Sequence, residues 1–395
     1  MADRRKVILA TCCGVHGLQD GLANLVYVLL PALAQVFGLS YAQVGIIRAA
    51  NNSAMTLFEL PSGLLSERSG ERILLVFGLA CAGLGFVALG QATGFLVILV
   101  SLFVVGLGAA FQHALSSAVI SKAYEDGGRR SALGVYNSSG DFGKLAFAGL
   151  FTLLFGAGVA WHGVVTAFGV LALGAAAVLY GLLRWLGAGA RPVATAIATD
   201  SAPRGGWGIR DRTGFAALSV IVLLDIAVQG GFLTFLAFLM IEKQVPTSLA
   251  AFAVVLTLAG GAFGKFGCGL LAERFGVIRS LILVEALTAI GIVAILLAPT
   301  LLAYFLLPVL GVVLQGSSSI TYGTVSDLIT EDRQSRGFGL IYSIASGAAI
   351  VSPILFGYIG DRYGLTPAML TMAGVVLLPL PLCIFLRPAL SPKSA

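Results

Sequence analysis

The sequence predicts an all-α membrane protein in which twelve transmembrane helices form two pseudo-symmetric six-helix bundles. Three observations predict this fold class. First, 58% of the residues are hydrophobic and only 11% are charged, whereas soluble domains carry about 25% charged residues. Second, the chain contains twelve apolar runs close to 20 residues or longer, the length that a helix needs to cross the hydrocarbon core. Third, the two halves of the chain repeat one another.

The twelve predicted spans follow each other with mostly short connections. They cover 7–36, 41–65, 73–91, 95–121, 131–158, 163–186, 214–241, 248–271, 279–298, 301–327, 337–359 and 367–386. The longest connection, 187–213, is rich in Ala, Gly, Arg and Pro and has no helical period, which is typical of a flexible linker. The predicted domains are therefore an N-terminal bundle at 1–186, a cytoplasmic linker at 187–213 and a C-terminal bundle at 214–395.

The positions of the basic residues predict the orientation. If the N-terminus is cytoplasmic, nineteen of the 24 lysines and arginines fall in cytoplasmic segments, and the outer loops keep only Lys243 and Arg362. An excess of positive charge in cytoplasmic loops is the rule for multispanning proteins. We therefore expect a plasma-membrane protein with both termini in the cytoplasm. The net charge of +6 belongs to these loops, so no nucleic-acid partner is expected.

The composition does not favour an enzyme. The five cysteines lie in apolar runs without metal-ligand spacing, and each is expected to be a buried thiol. The chain has no Walker-type phosphate loop and no evident nucleophile–base pair. The sequence therefore predicts no cofactor and no metal site, and we expect a monomer whose partners are a small-molecule solute, protons and the lipid bilayer.

An internal repeat relates the two halves at a constant offset of 206 residues. The segment "GLLSERSG" (63–70) returns as "GLLAERFG" (269–276) with six of eight residues identical, and Tyr136 returns as Tyr342. A constant offset of this kind indicates two homologous six-helix halves in parallel orientation, an arrangement that is common among transporters.

The first copy of this repeat resembles the loop 2–3 signature of the major facilitator superfamily, G-x-x-x-D/E-R-x-G-x-R/K. In that superfamily the loop braces the two bundles on the cytoplasmic side, so the resemblance implies a gate. The gate residues that it implies are Gly63, Glu67, Arg68, Gly70 and Arg72 in the first copy, and Glu273 and Arg274 in the second.

Three other stretches look like the fosmidomycin-resistance group of efflux proteins: "HGLQDG" (16–21) with the sequence after it, "FQHALSSAVISKAYEDGGRR" (111–130) and "NSSGDFG" (137–143). The chain departs from that group where Ala114, and not Pro, follows His113. The Gly-Pro antiporter motif of many drug exporters is also absent. The resemblance implies a secondary transporter, with export by proton antiport favoured, and leaves the substrate open.

Charged residues inside the predicted spans mark the candidate site. An aspartate at the bilayer centre costs roughly 2.5–3.5 kcal/mol on translocon scales, which indicates that Asp20 has a function. At ~1.5 Å per residue, Asp20 lies ~21 Å from the cytoplasmic side and Arg48 ~12 Å from the outer side. These similar depths predict an Asp20–Arg48 pair, which is either a static brace or part of a substrate or proton site. The other charged residues of the predicted spans lie in helices that are expected to face a central cavity. Glu285 is the exception, because it lies in the ninth span, which the resemblance places near lipid.

The candidate residues fall into two further groups. For proton coupling we assign Asp20, His16, Asp141 and Asp225; for substrate binding we assign Arg48, Lys144, Asn137, His113 and Tyr136. His16 shares a helix face with Asp20 at i,i+4 and is suited to relay a proton. Asp141 and Lys144 share a face at i,i+3 and either bind solute or simply neutralise each other.

The leading hypothesis is a proton-coupled secondary transporter that exports a small organic solute or drug by alternating access. Two alternatives stay open. Arg48, Lys144 and Lys265 also suit a proton symporter for uptake of a small organic anion, because these cations can bind carboxylate or phosphate. A membrane sensor on a transporter fold is the remote alternative.

Overall fold

The computed structural model is almost entirely helical and describes residues 2–125, 127–190, 208–330 and 334–387. The first half contains α1 (Ala2–Phe37), α2 (Tyr41–Ser69), α3 (Glu71–Gly90), α4 (Phe95–Ala110), α5 (His113–Ala123), α6 (Arg129–Gly156) and α7 (Trp161–Trp185). The second half contains α8 (Arg212–Glu242), α9 (Thr247–Phe275), α10 (Val277–Leu297), α11 (Thr300–Val325), α12 (Gln334–Tyr363), α13 (Leu365–Val375) and α14 (Pro379–Leu382), with 3-10 turns at Ser326–Leu328 and Cys383–Leu386.

The apolar helices confirm the predicted all-α membrane fold. Within the described residues, ten helical stretches are long and apolar enough to cross a bilayer. The other two long helices, α2 and α6, have 29 and 28 residues and so exceed the ~30 Å of the hydrocarbon core. Charged residues such as Arg48 in α2 and Lys144 in α6 lower their hydropathy.

Two predicted spans are broken in the structure. The fourth divides into α4 and α5, because the backbone N–H groups of Phe111 and Gln112 bond to carbonyls three residues earlier and tighten the turn. The twelfth divides into α13, α14 and a 3-10 turn around Pro379 and Pro381, which lack the N–H that a continuous helix needs. Much of the predicted linker, 191–207, lies outside the described residues.

The chain divides into two compact units, one formed by Met1–Leu39 with Ile46–Ala198 and the other by Ser40–Gly45 with Thr199–Ala395. Inside each unit, helices that the repeat makes equivalent pack in the same pairs. In the first unit α1 packs along α6 and α3 along α7; in the second, α8 packs along α12 and α10 along α13. This agreement supports the two homologous halves inferred from the sequence.

Small residues bring the helices close together, as membrane packing requires. In the second unit, Gly260 and Gly264 of α9 face the backbone carbonyls of Pro308 and Val312 on α11, and neither position has room for a Cβ atom. The five cysteines are free thiols; Cys13 is half-buried and the others are buried, so the expectation of full burial is wrong for Cys13 alone.

Candidate functional site

The candidate site forms where α1 and α6 cross in the first unit. Gly17 on α1 and Gly143 on α6 meet backbone to backbone, with no space for a side chain on Gly143. One turn earlier, a Cβ atom on Gly140 would lie 2.6 Å from the His16 ring and 2.9 Å from the Asp20 carboxylate. The glycines of α6 therefore allow the polar side chains of α1 to lie directly against the α6 backbone.

Asp20 is the centre of a buried group of ionisable side chains. Its carboxylate is 3.1 Å from the Lys144 ammonium, and each of its two oxygens is 3.5 Å from the Nε2 atom of one histidine, His16 for Oδ2 and His113 for Oδ1. Lys144 also lies 3.1 Å from Asp141. We call these five residues the Asp20 cluster. Asp20 is only 7% exposed, so neighbouring side chains replace water around its charge.

The hydrogen bond at the other side of the His16 ring fixes its tautomer. Nδ1 of His16 lies 2.8 Å from the backbone carbonyl oxygen of Tyr136, and a carbonyl can only accept. The Ser139 hydroxyl donates to the same carbonyl at 2.6 Å. Nδ1 therefore carries a proton, and in a neutral ring Nε2 has only a lone pair to present to Asp20. Nε2 lies 3.5 Å from the Asp20 carboxylate, so His16 and Asp20 are placed to share a further proton.

Lys144 joins two carboxylates, those of Asp20 and Asp141. The predicted i,i+3 pair of Asp141 and Lys144 is present, with the ammonium donating to Asp141 Oδ1. The shared ammonium allows either carboxylate to become protonated, or to bind another cation, without leaving Lys144 unpaired. A solute anion can likewise take the ammonium when one carboxylate is neutral.

The same geometry bears on metal binding. His16, Asp20 and His113 each present one ligand atom, and these atoms lie within 4.8 Å of one another. Two histidines and a carboxylate suit zinc-like ions. However, the Lys144 ammonium already lies beside Asp20 and supplies the positive charge there, so the cluster as arranged is better suited to hold protons than a metal ion.

The expected pairing of Asp20 with Arg48 is wrong. The Arg48 guanidinium donates to the Tyr27 hydroxyl at 2.8 Å and to Asn51 at 2.9 Å, and it lies 4.1 Å from the centre of the Tyr27 ring. Tyr27 is seven residues beyond Asp20, about 10 Å further along α1. The sequence count misplaced the depth because α1 has 36 residues, more than one bilayer crossing needs. In the described part of the chain, Arg48 forms no ion pair.

The remaining predicted residues of the first unit divide in two. Tyr136 is buried, and its ring stacks on His16 with the ring centres 4.1 Å apart. Asn137, next to it, is exposed. Sequence reasoning missed Gln19, which is 1% exposed and whose amide atoms have no hydrogen-bond partner among the described residues. Its position beside Asp20 was the available signal.

Asp225 lies in the second unit. Its carboxylate accepts hydrogen bonds from the Ser317 hydroxyl at 2.8 Å on both oxygens. Within the first unit, the structure brings together Asp20, Asp141 and Lys144 from the residues assigned to proton coupling and substrate binding.

The predicted gate residues lie at two equivalent turns. Gly70 joins α2 to α3 with φ +79°, and Gly276 joins α9 to α10 with φ +84°, a region that favours glycine. Around these turns Arg68, Glu273 and Arg274 are exposed. The backbone N–H of Arg72 donates to the Gly189 carbonyl. The structure describes Gly63 within α2 but not the side chain of Glu67.

An ion pair beside the first turn was missed by the sequence analysis. Glu71, the first residue of α3, is only 4% exposed and pairs with Lys122 at the end of α5. Glu71 lies between the signature residues Gly70 and Arg72, but the signature does not specify the residue at this position.

Comparison with known proteins identifies the family. The family model described as Major Facilitator Superfamily matches residues 12–324 and 218–395. The chain belongs to this superfamily. The prediction made from the loop signature and the internal repeat is thereby confirmed, and the protein is a multi-pass membrane transporter.

The chain is similar to several curated transporters. The chain is 28% identical to YfnC, an uncharacterized MFS-type transporter of Bacillus subtilis (strain 168), over 93% of this chain and 89% of that one. It is 26% identical to the 3-(3-hydroxy-phenyl)propionate transporter of Escherichia coli (strain K12), over 90% and 87%. It is 29% identical to the fosmidomycin resistance protein of Escherichia coli (strain K12), over 44% and 42%.

Solved structures confirm the fold. The crystal structure of a bacterial homologue of the human lysosomal transporter Spinster, in an inward-facing and occupied conformation, superposes with a TM-score of 0.77. The match covers 98% of this chain and 95% of that one at 18% identity. At this identity the likeness concerns the fold alone.

Proposed function

We propose that this superfamily member is a proton-coupled secondary transporter that exports a small organic solute by alternating access. The observation that carries the proposal is the contact between His16 and Asp20. Because Nδ1 of His16 donates to the Tyr136 carbonyl, Nε2 is the nitrogen that can take up a proton, and it lies 3.5 Å from the Asp20 carboxylate. A buried imidazole and a carboxylate that can share a proton are what a coupling site needs.

Export is favoured by the partial likeness to the fosmidomycin resistance protein. In this scheme Asp20, with His16 and Asp141, takes up protons, and Lys144 binds the solute when a carboxylate is neutralised. The gate residues of the two equivalent turns would alternate access to the site. We further propose a monomer in the plasma membrane. The basic residues in the predicted cytoplasmic segments support the cytoplasmic position of both termini.

Uptake of an organic anion by proton symport is the second candidate. Two observations favour it: the Lys144 ammonium in the Asp20 cluster, and the likeness to a transporter of 3-(3-hydroxy-phenyl)propionate over most of both chains. Both candidates use the same proton site, and they differ in whether solute and protons move in opposite directions or together.

The test is solute flux in proteoliposomes with an imposed pH gradient. Fosmidomycin and 3-(3-hydroxyphenyl)propionate are the first solutes to try, followed by a panel of small organic acids and drugs. Under export by antiport, an inward proton gradient drives solute out of the vesicles; under symport it drives solute in. Flux that is indifferent to the pH gradient for every transported solute would overturn proton coupling in both forms.

A further inference from the structure

The second unit buries two carboxylates that the proposed transport cycle has not yet used together. Asp225 on α8 is 2% exposed and Glu285 on α10 is 1% exposed. Val222, one turn before Asp225, and Val284, next to Glu285, belong to the same buried core, and the two carboxylates interact electrostatically. The expected position of Glu285 near lipid is therefore misleading, since its side chain is enclosed by protein.

The hydrogen bonds of the pair do not balance two negative charges. Asp225 accepts from the Ser317 hydroxyl, whereas neither oxygen of Glu285 has a hydrogen-bond partner in the part of the chain that the structure describes. Among the described residues, no lysine, arginine or histidine forms an ion pair with either carboxylate. An ionised carboxylate that is buried without donors or a cation is strongly disfavoured.

Two ionisable groups that interact electrostatically with the pair cannot carry a positive charge. Tyr322 on α11 interacts with Asp225, and Cys383 in the last 3-10 turn interacts with Glu285. A phenol and a thiol are neutral or negative, never positive. Tyr342 on α12 contacts the Tyr322 ring and adds only another phenol, and α13 brings no ionisable side chain.

We propose that Asp225 and Glu285 form a second proton-binding site, which holds its proton on Glu285 in this conformation and supplies a second coupling proton during transport. The Ser317 hydroxyl stabilises the charge on Asp225, so the proton resides on the partner that lacks donors. Release of the proton requires a rearrangement that gives Glu285 a donor or water. The role in transport rests on the proposed proton coupling, whereas the bound proton itself does not.

Infrared difference spectroscopy on the purified full-length protein detects the proton directly. A protonated carboxyl gives a carbonyl stretch that ionised carboxylates lack. We expect this band at neutral pH in the wild type, with loss of the Glu285 component in Glu285→Gln and a shifted or lost band in Asp225→Asn. Glu273→Gln, which changes an exposed acid at the end of α9, is the matched control and should leave the band unchanged.

A second variant keeps the test decisive if either neutral variant fails to fold. Ser317→Ala removes the hydroxyl that donates to Asp225, so the pair should keep its proton to higher pH than in the wild type. A band that is identical in the wild type, Glu285→Gln and Ser317→Ala would overturn the site. Loss of the band on addition of Na⁺ at constant pH would also overturn it, because the pair would then hold sodium.

The coupling role is measured separately as the number of protons moved per solute. Glu285→Gln should lower this number by one while solute is still transported, whereas Asp20→Asn should abolish coupling and leave the infrared band of the pair in place. An unchanged proton number in Glu285→Gln would refute the coupling role. Coupling that persists in Asp20→Asn, with the infrared band of the pair still in place, would instead count against the proposed function alone.

Discussion

Nδ1 of His16 lies 2.8 Å from the backbone carbonyl oxygen of Tyr136, and this single contact determines what the opposite edge of the ring can offer to Asp20. Backbone carbonyls keep no proton and cannot change role, so the tautomer of His16 stays fixed while α1 and α6 remain packed. Because of this contact, His16 presents Nε2, the nitrogen that can accept a proton, to the carboxylate of Asp20, its i,i+4 neighbour.

Asp20→Asn should abolish solute accumulation driven by a pH gradient and leave the protein folded. The amide keeps the shape of the side chain but cannot take up or release a proton. Lys144 remains paired with Asp141, so no lone cation is left buried. The measurement is gradient-driven flux in proteoliposomes alongside thermal unfolding. Asp327→Asn, an exposed site at the end of α11, serves as the control; wild-type accumulation by Asp20→Asn would make Asp20 a structural residue.

His16→Gln should flatten the pH dependence of transport, because an amide cannot take up and release a proton as an imidazole can. Gln can still donate toward the Tyr136 carbonyl, but it cannot hold a proton for Asp20. The initial rate of flux is measured against pH. His162→Gln alters the exposed histidine at the start of α7 and should retain the wild-type profile. A normal profile in His16→Gln would remove His16 from the proton path.

The contacts that follow helical periodicity could be predicted from the sequence. His16 and Asp20 are four residues apart and Asp141 and Lys144 three, and both pairs meet in the structure. Such neighbours depend only on the helix geometry. The fold could also be predicted from the sequence, because the repeat and the loop signature are sequence patterns that do not depend on how the helices cross.

Contacts between helices could not be predicted in this way. That His113 on α5 reaches Asp20 depends on how far the broken fourth span turns toward α1. Arg48 was paired with Asp20 only because their estimated depths were similar. The estimate was wrong by about two helical turns, and Arg48 contacts Tyr27 instead. The depth of a residue in the bilayer, counted along its helix, is only as accurate as the assumed positions of the bilayer boundaries.

Lys144→Ala should weaken the binding of an anionic solute by about tenfold or more, because a charge-assisted hydrogen bond contributes about 1.5–3 kcal/mol. Asp141→Asn should instead change mainly the pH dependence of binding, since the ammonium keeps its contact with Asp20. Solute affinity is measured against pH for both variants. Lys122→Ala, which breaks the ion pair with Glu71 outside the cluster, is the control.

Changes confined to thermal stability would contradict this prediction. If affinity and its pH profile stay as in the wild type in both variants, Lys144 is a structural bridge between Asp20 and Asp141. The solute would then bind elsewhere, and the buried guanidinium of Arg48 would be the next residue to test.

Gly143→Ala should destabilise the first unit by about 1–3 kcal/mol, the usual cost of forcing extra atoms into a packed interface. The added methyl group would overlap the backbone of Gly17, so α1 and α6 must separate. Separation would also lengthen the contact between His16 and the Tyr136 carbonyl, which holds the tautomer. We therefore expect a lower unfolding temperature together with impaired coupling.

The control for this substitution lies on the same helix. Gly149→Ala adds the same methyl group to α6 where no atom lies within 4 Å, and alanine raises helix propensity over glycine. Its unfolding temperature should equal or exceed that of the wild type, with transport unchanged. Equal stability and transport in Gly143→Ala and Gly149→Ala would mean that the close approach of α1 and α6 is not what holds the Asp20 cluster in place.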